Sequence, residues 1–218
     1  MVSVTNEQAS GLRTGRPGRK RSEDSRQAIL AAAFELFGEL GYAALTIEGV
    51  AAWAGVGKQT IYRWWPSKAD VLLDALAVKA DMHIPVADQG SYRTELRTFL
   101  DSSFVLSRRP QVAAMLCALM AQAQTDPAFG DRFREVFLLR RRDALATILN
   151  RAGERGDLPA HPSPGVVQDL VFGVIWYRML ATRVPLDAAL TNELLHTLTG
   201  SHPRPPATTP TRKGPRTP

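Results

Sequence analysis

The 218-residue chain holds a single cysteine, Cys117, so no disulfide can close within it. Its surroundings, "VAAMLCALM", are apolar, and the thiol reads as a packing group rather than a sensor. Long hydrophobic runs are missing too. The longest, Val112 to Ala121, spans ten residues, against the roughly 20 that a membrane helix needs. The first twelve residues, "MVSVTNEQASGL", contain neither a basic region nor the apolar core of a secretory leader. A reducing cytoplasm with no membrane partner is the expectation. Strict alternation of apolar and polar residues is absent, which argues against strands. Catalytic and metal patterns are absent as well: there is no CxxC, HExxH, nucleotide-binding loop or Gly-x-Ser-x-Gly turn. His83, His161, His196 and His202 are scattered, and Asp81 lies two positions from His83, a spacing that puts them on different helix faces. No catalytic residue, metal or cofactor is expected.

What is present begins with charge and its placement. The chain carries +6 overall. Residues 1–21 hold Arg13, Arg16, Arg19, Lys20 and Arg21 against Glu7, and residues 201–218 hold Arg204, Arg212, Lys213 and Arg216 with no acid. Each end therefore contributes +4, and residues 22–200 are slightly acidic at −2. Both ends are rich in Gly, Pro or Thr and poor in apolar residues, so each reads as a disordered basic segment. A basic arm beside a folded module suits nucleic acid; a merely solubilising tail is the other reading of 201–218.

Between them nearly every segment has helical periodicity. Ser22 reads as a cap with Glu23 and Asp24 in the first turn, and Ile29, Ala32, Ala33, Leu36, Phe37 and Leu40 follow at helical spacing up to Gly41. Thr46 opens a short helix through Ala54, and Ser67 with Asp70 opens a fourth. Further helices are expected at about 93–107, 111–124 and 127–152. Another runs from Ser163-Pro164 to about Thr182, and a last one from Asp187 to Thr199. The fold class expected is all-α with about nine helices.

The segment "GVGKQTIYRWWPSKADVL" carries the functional signal. Ala51, Gly55 and Ile61 have the spacing of a helix-turn-helix, in which a small residue allows close approach, a glycine takes positive φ and an apolar residue closes the core. The alternative is an ordinary helical hairpin. The second helix, 58–64, presents Lys58, Gln59, Thr60, Tyr62 and Arg63 and no acid, the sign a phosphate-lined groove demands. Gln and Arg reach base edges, Thr bonds a base or touches a thymine methyl, and Tyr62 offers a hydroxyl to phosphate. Lys68, in the first turn of the next helix, is placed for a phosphate. Trp65 reads as core; Trp64 fits either the DNA backbone or core packing.

With those residues in view, "LTIEGVAAWAGVGKQTIYRWWPSKADVL" and the preceding "RQAILAAAFELFGELGYAAL" resemble the DNA-binding region of the tetracycline-repressor (TetR) family. The resemblance covers Arg26 to Leu76. It implies a head at 22–68 and a helical ligand-binding and dimerisation domain at 69–200. It also implies Thr46 capping the second helix and bonding phosphate, with Lys58, Gln59, Thr60 and Arg63 in the major groove. Tyr62, Trp64 and Lys68 would lie at phosphates, although Trp64 stands where many members have histidine or tyrosine. Arg16 and the run Arg19, Lys20, Arg21 would enter a minor groove.

In the second domain, Phe104, Met115, Met120, Phe137, Phe172 and Trp176 are large apolar groups on separate helices, candidates for a ligand site between them or for plain core. "RRRD" at Arg140–Asp143 reads as a solvated face. The resemblance implies that the last two helices pair with a second copy, through Gly173, Leu190, Leu194 and Leu198; closing the monomer's own core is the other possibility. The expected function is a homodimeric, sequence-specific regulator, a repressor released from a palindromic double-stranded DNA operator by a small apolar or amphipathic molecule. The alternatives are an architectural DNA binder with no effector and, far behind, an all-helical enzyme.

Overall fold

Capping chemistry divides the chain into helices where side chains can take up the unpaired backbone amides. In the computed structural model, which describes residues 17–200 with side chains from Ser22 onward, nine helices follow one another and no strand occurs among the described residues. They are α1 (Pro17–Ala44), α2 (Ile47–Ala54), α3 (Lys58–Tyr62), α4 (Lys68–His83), α5 (Tyr92–Ser107) and α6 (Pro110–Thr125). The next, α7, is continuous through Pro127–Phe133, a π-helical stretch at Arg134–Leu139, and Arg140–Arg155. Then α8 joins Pro164–Tyr177 to a π-helical Arg178–Thr182, and α9 is Ala188–Thr199. Thr46, Ser67, Ser91, Asp126 and Asp187 each accept a hydrogen bond from the amide three residues on, the N-cap arrangement. Ser163 stands at a cap position in extended backbone, but its hydroxyl makes no capping bond and Pro164 starts the helix.

Two boundaries differ from expectation. The first helix begins at Pro17, not after Ser22, so Arg19, Lys20 and Arg21 ride on helical backbone rather than on a disordered arm; proline fits a first turn because its missing N–H would be unpaired there anyway. Arg16 and the tail 201–218 lie outside the described residues. Regular helix in α3 stops at Tyr62, though the chain keeps turning through Trp65, whose amide donates to the Ile61 carbonyl at 2.9 Å.

The centre of the molecule is α4. Ala69, Val71, Leu72, Leu73, Ala75, Leu76, Ala77 and Ala80 are all buried, which means it is covered on most sides. It packs on α1, α5, α6 and α7. Each fully buried Leu or Val side chain contributes about 1.5–3 kcal/mol, so displacing α4 from any neighbour is costly. At the far end, α9 lies on α5 with Leu190, Leu194, Leu195 and Leu198 buried, and Thr191 Oγ1 donates to Asp101 Oδ1 at 2.7 Å. The expectation that Leu190, Leu194 and Leu198 face a second copy is thereby corrected: they close the chain's own core.

Candidate nucleic-acid interface and ligand cavity

The reading head is built from short-range geometry. Gly41 breaks α1 with φ 72°, and Gly55 ends α2 with φ 66°, both in the region that favours glycine. Around Gly55 the amide of Val56 donates to the Ala51 carbonyl at 3.0 Å, tying the turn back onto α2. Ala51 and Ile61 are both buried in the core where α2 meets α3, as their spacing implied. Thr46 is exposed at the start of α2, its Oγ1 accepting from the Gly49 amide at 3.1 Å. On the outer side Lys58, Gln59, Tyr62, Arg63 and Trp64 are exposed and Thr60 is half-buried. One acid stands nearby: Glu48 of α2 lies 3.8 Å from Lys58, both side chains well exposed. A further aromatic, Trp53 on α2, is exposed and was not singled out from the sequence.

Behind this face Trp65 is 4% exposed. Its indole Nε1 donates to Asp74 Oδ2 at 2.9 Å, and Arg26 Nη2 donates to the same oxygen at 2.9 Å while its guanidinium lies 5.8 Å from the indole ring centroid. One carboxylate on α4 thus holds the end of the reading segment and α1 together.

Lys68 has a different setting from the one expected. Its ammonium donates to the carbonyls of Tyr42 at 2.7 Å and Leu45 at 2.9 Å, with Ala43 at 3.5 Å, and sits 4.6 Å from the centroid of the Tyr42 ring. It caps the unpaired carbonyls at the end of α1, so its protons point into the head rather than out of it. From the same neighbourhood three bonds reach the body. Tyr42 Oη donates to Gln122 Oε1 on α6 at 3.3 Å; Arg132 Nε on α7 donates to Asp70 Oδ1 at 2.5 Å; and Gln111 Nε2 on α6 donates to the Phe34 carbonyl. Burial, with the negative Asp70 and Asp126 adding to it, raises the Tyr42 phenol above its ordinary value and keeps it a donor.

The body holds a part-open cavity of about 350 Å³ between α4, α5, α6, α7 and α8. Of the six side chains expected at a ligand site, Phe137, Phe172 and Trp176 line it. Phe104 and Met115 are buried in core, and the half-buried Met120 packs against that core, all three away from the cavity walls. Rings support the walls: Phe133 stacks on Phe137 at 5.8 Å and meets Trp176 edge-on at 6.4 Å, and Phe99 meets Phe172 edge-on at 6.3 Å. Both π-helical stretches border it, one supplying Phe137 and Leu138 and the other Met179; wider turns of this kind recur at functional sites.

Polar groups at the cavity are few. Ser103 is spent on the Phe99 carbonyl at 2.7 Å. Arg142 pairs with Asp169 at 2.7 Å and with Gln168 at 3.1 Å. Arg141 corrects the expectation of a solvated "RRRD" face: its side chain is 11% exposed, lines the cavity and bonds Asp81 near the end of α4. Burial pulls the Arg141 guanidinium below its usual range, an effect that Asp81 opposes and Arg140 reinforces. Helical spacing did contain a signal for it. Phe133, Phe137, Arg141 and Leu145 fall four residues apart on one buried row. Such a row drifts by about 40° per step on a straight α-helix, and the π turn at 134–139 takes up part of that drift.

Comparison with known proteins decides the family. Residues 29–75 match the profile of bacterial regulatory proteins of the tetR family, and residues 86–198 match the tetracyclin repressor-like C-terminal domain. The chain belongs to the TetR family. A helix-turn-helix-type transcriptional regulator of Bacillus subtilis, YdeS, is 32% identical over 180 residues, 82% of this chain and 89% of that protein. A DNA-binding transcriptional repressor TetR of Mycobacteroides abscessus is 28% identical over 178 residues, 80% and 92% of the two chains. The crystal structure of the TetR family regulator SCO0332 superposes with a TM-score of 0.72 at 30% identity, covering 80% of this chain and 96% of that one. The protein is therefore a helix-turn-helix transcriptional regulator that binds DNA.

This TetR-family regulator has one more unclaimed surface. Along α8, Val166, Leu170, Gly173, Tyr177 and Leu180 are all exposed, at spacings of three and four that put them on one stripe. Of the expected interface residues only Gly173 belongs to it. No helix of the described residues is long and apolar enough to cross a membrane.

Proposed function

We propose that this TetR-family member is a homodimeric repressor that holds a palindromic operator and leaves it when a small, mainly apolar molecule fills the cavity. The observation that carries the reading is the double role of α4. Leu76, Ala80 and Ile84, on α4 and just past its end, line the cavity, while Lys68 and Asp74 of the same helix bind the head together and Asp70 ties that end to α7. A ligand that shifts α4 therefore shifts the head. It releases DNA only as far as its affinities for the two arrangements differ. An effector-independent binder has no use for such a cavity.

On the DNA side, Lys58, Gln59, Thr60 and Arg63 enter the major groove, with Thr46, Tyr62 and Trp64 at the backbone. Arg16, Arg19, Lys20 and Arg21 follow toward a minor groove. The α8 stripe joins two copies, setting two heads about one helical turn of DNA apart, roughly 34–36 Å. Such a regulator works in the cytoplasm, where its operator is.

The test is selection of bound fragments from genomic DNA, followed by fluorescence anisotropy on the recovered site. A two-fold symmetric site bound much more tightly than random duplex is expected; equal binding to all sequences at physiological salt sinks the reading. Gln59→Ala should then relax preference at one base position in each half-site by about 1–3 kcal/mol, while Lys58→Ala weakens all sequences alike.

A further inference from the structure

The cavity of this regulator is mainly apolar, and one of its few polar groups is unexplained. Arg141 bonds Asp81 through Nη2, yet its Nη1 is buried and makes no hydrogen bond. Buried donors on charged groups are costly to leave unpaired, and such orphans in a folded protein need a reason. The surrounding ion pairs do not provide one. Of the charged side chains that line the cavity, Arg141 and Arg142 are positive and only Asp169 is negative, an excess of one positive charge.

We propose that the cavity receives an organic monocarboxylate, its apolar body among Phe137, Phe172 and Trp176 and its carboxylate on the guanidinium of Arg141, which lines the cavity and turns its unpaired Nη1 to the ligand. The inference rests on the ligand-response reading above and names the class of ligand. A carboxylate accepts the free N–H in a charge-assisted bond, stronger than a neutral acceptor makes there. It also balances the single excess charge. A phosphate or other dianion is disfavoured, because the negative Asp169 stands at the same cavity. The arrangement also links ligand to head. Asp81 sits in the last turns of α4, so an arriving carboxylate competes with it for the guanidinium at one end of the helix whose other end seats the head.

The test is isothermal titration of the full-length protein with octanoate and 4-phenylbutanoate, each against its alcohol, octanol and 4-phenylbutanol. At least one acid should bind about tenfold or more tightly than its alcohol. Arg141→Met, which keeps the packing of the stem, should erase that preference, and Arg141→Lys should keep part of it. The inference is overturned if neither acid exceeds its alcohol, absence of binding included, or if a folded Arg141→Met variant keeps the full preference. Should that variant fail to fold, the acid–alcohol difference in the unsubstituted protein decides alone. Operator binding measured alongside separates the two readings. Alcohols that release DNA as well as acids leave ligand response standing and remove the carboxylate. An Arg141-dependent acid preference with no effect on DNA does the reverse.

Discussion

The head and the body of this regulator place their functional groups in opposite ways. In the head a closed core lies behind an exposed polar face: Ile61 and Trp65 are buried while Gln59, Tyr62 and Arg63 stand in solvent. In the body the helices surround a part-open cavity, and the functional groups, Phe137, Trp176 and Arg141 among them, line it. A surface that must fit a rigid duplex needs a rigid backing. A cavity that must respond to a ligand needs walls that tolerate being filled or empty.

The largest expected effect tests that difference in rigidity. Trp65→Ala removes a buried indole together with its bond to Asp74, which costs about 3–5 kcal/mol. In a chain of this length that lowers the melting temperature by about 2–4 °C per kcal/mol. Trp176→Ala, at a half-buried ring already beside open space, should cost clearly less. Equal losses in a thermal melt would mean that the body is as tightly packed as the head and that the cavity does not yield.

Next in size is the stripe on α8. A buried dimer face does not tolerate an unpaired charge, so Leu170→Arg should leave a monomer by sedimentation. Losing the second, linked half-site then weakens operator binding by on the order of 10²-fold or more. A dimer that persists in this variant would move the interface elsewhere and leave the exposed Val166, Tyr177 and Leu180 without a role.

How much of this was legible in the sequence follows the same division. In the head, the residues that decide the structure are neighbours in sequence. Ala51, Gly55 and Ile61 act within eleven positions, and the caps at Thr46 and Ser67 act within three. Spacing alone could therefore place them, and the resemblance to the TetR family sharpened the reading. In the body the deciding contacts join distant segments, Asp81 with Arg141 or Leu190 with α5. The large apolar side chains were identifiable there, but periodicity does not say which neighbour an apolar stripe meets. Leu190, Leu194 and Leu198 turned inward for that reason, and the outward stripe on α8 went unnoticed because α8 is apolar on most sides. Arg141 was missed because a charge was read by type; its place on the row of Phe133, Phe137 and Leu145 was the stronger signal.

Lys68 is where the two kinds of reading disagree. Its position in the motif implies a phosphate contact, whereas its ammonium is held by carbonyls at the end of α1. Lys68→Met separates them. If the carbonyl cap is its role, the variant loses about 1–3 kcal/mol of stability and the salt dependence of DNA binding keeps its slope. If it reaches phosphate, the slope falls by about one unit.

The smallest effect belongs to the exposed pair of Glu48 and Lys58. Removing the acid by Glu48→Gln takes one negative charge away from the face meant for phosphates and frees Lys58 from a competitor 3.8 Å away. Exposed pairs of this kind contribute about 0.2–1 kcal/mol, so DNA affinity should rise by no more than about fivefold at low salt. The gain should be equal for operator and random duplex and should vanish at high ionic strength, because screening weakens both the pair and the repulsion. A gain confined to the operator would mean that Glu48 takes part in reading bases. No gain at any salt would mean that Lys58 does not face the duplex, and the outward side of α3 would then have to be assigned again from Arg63 and Gln59.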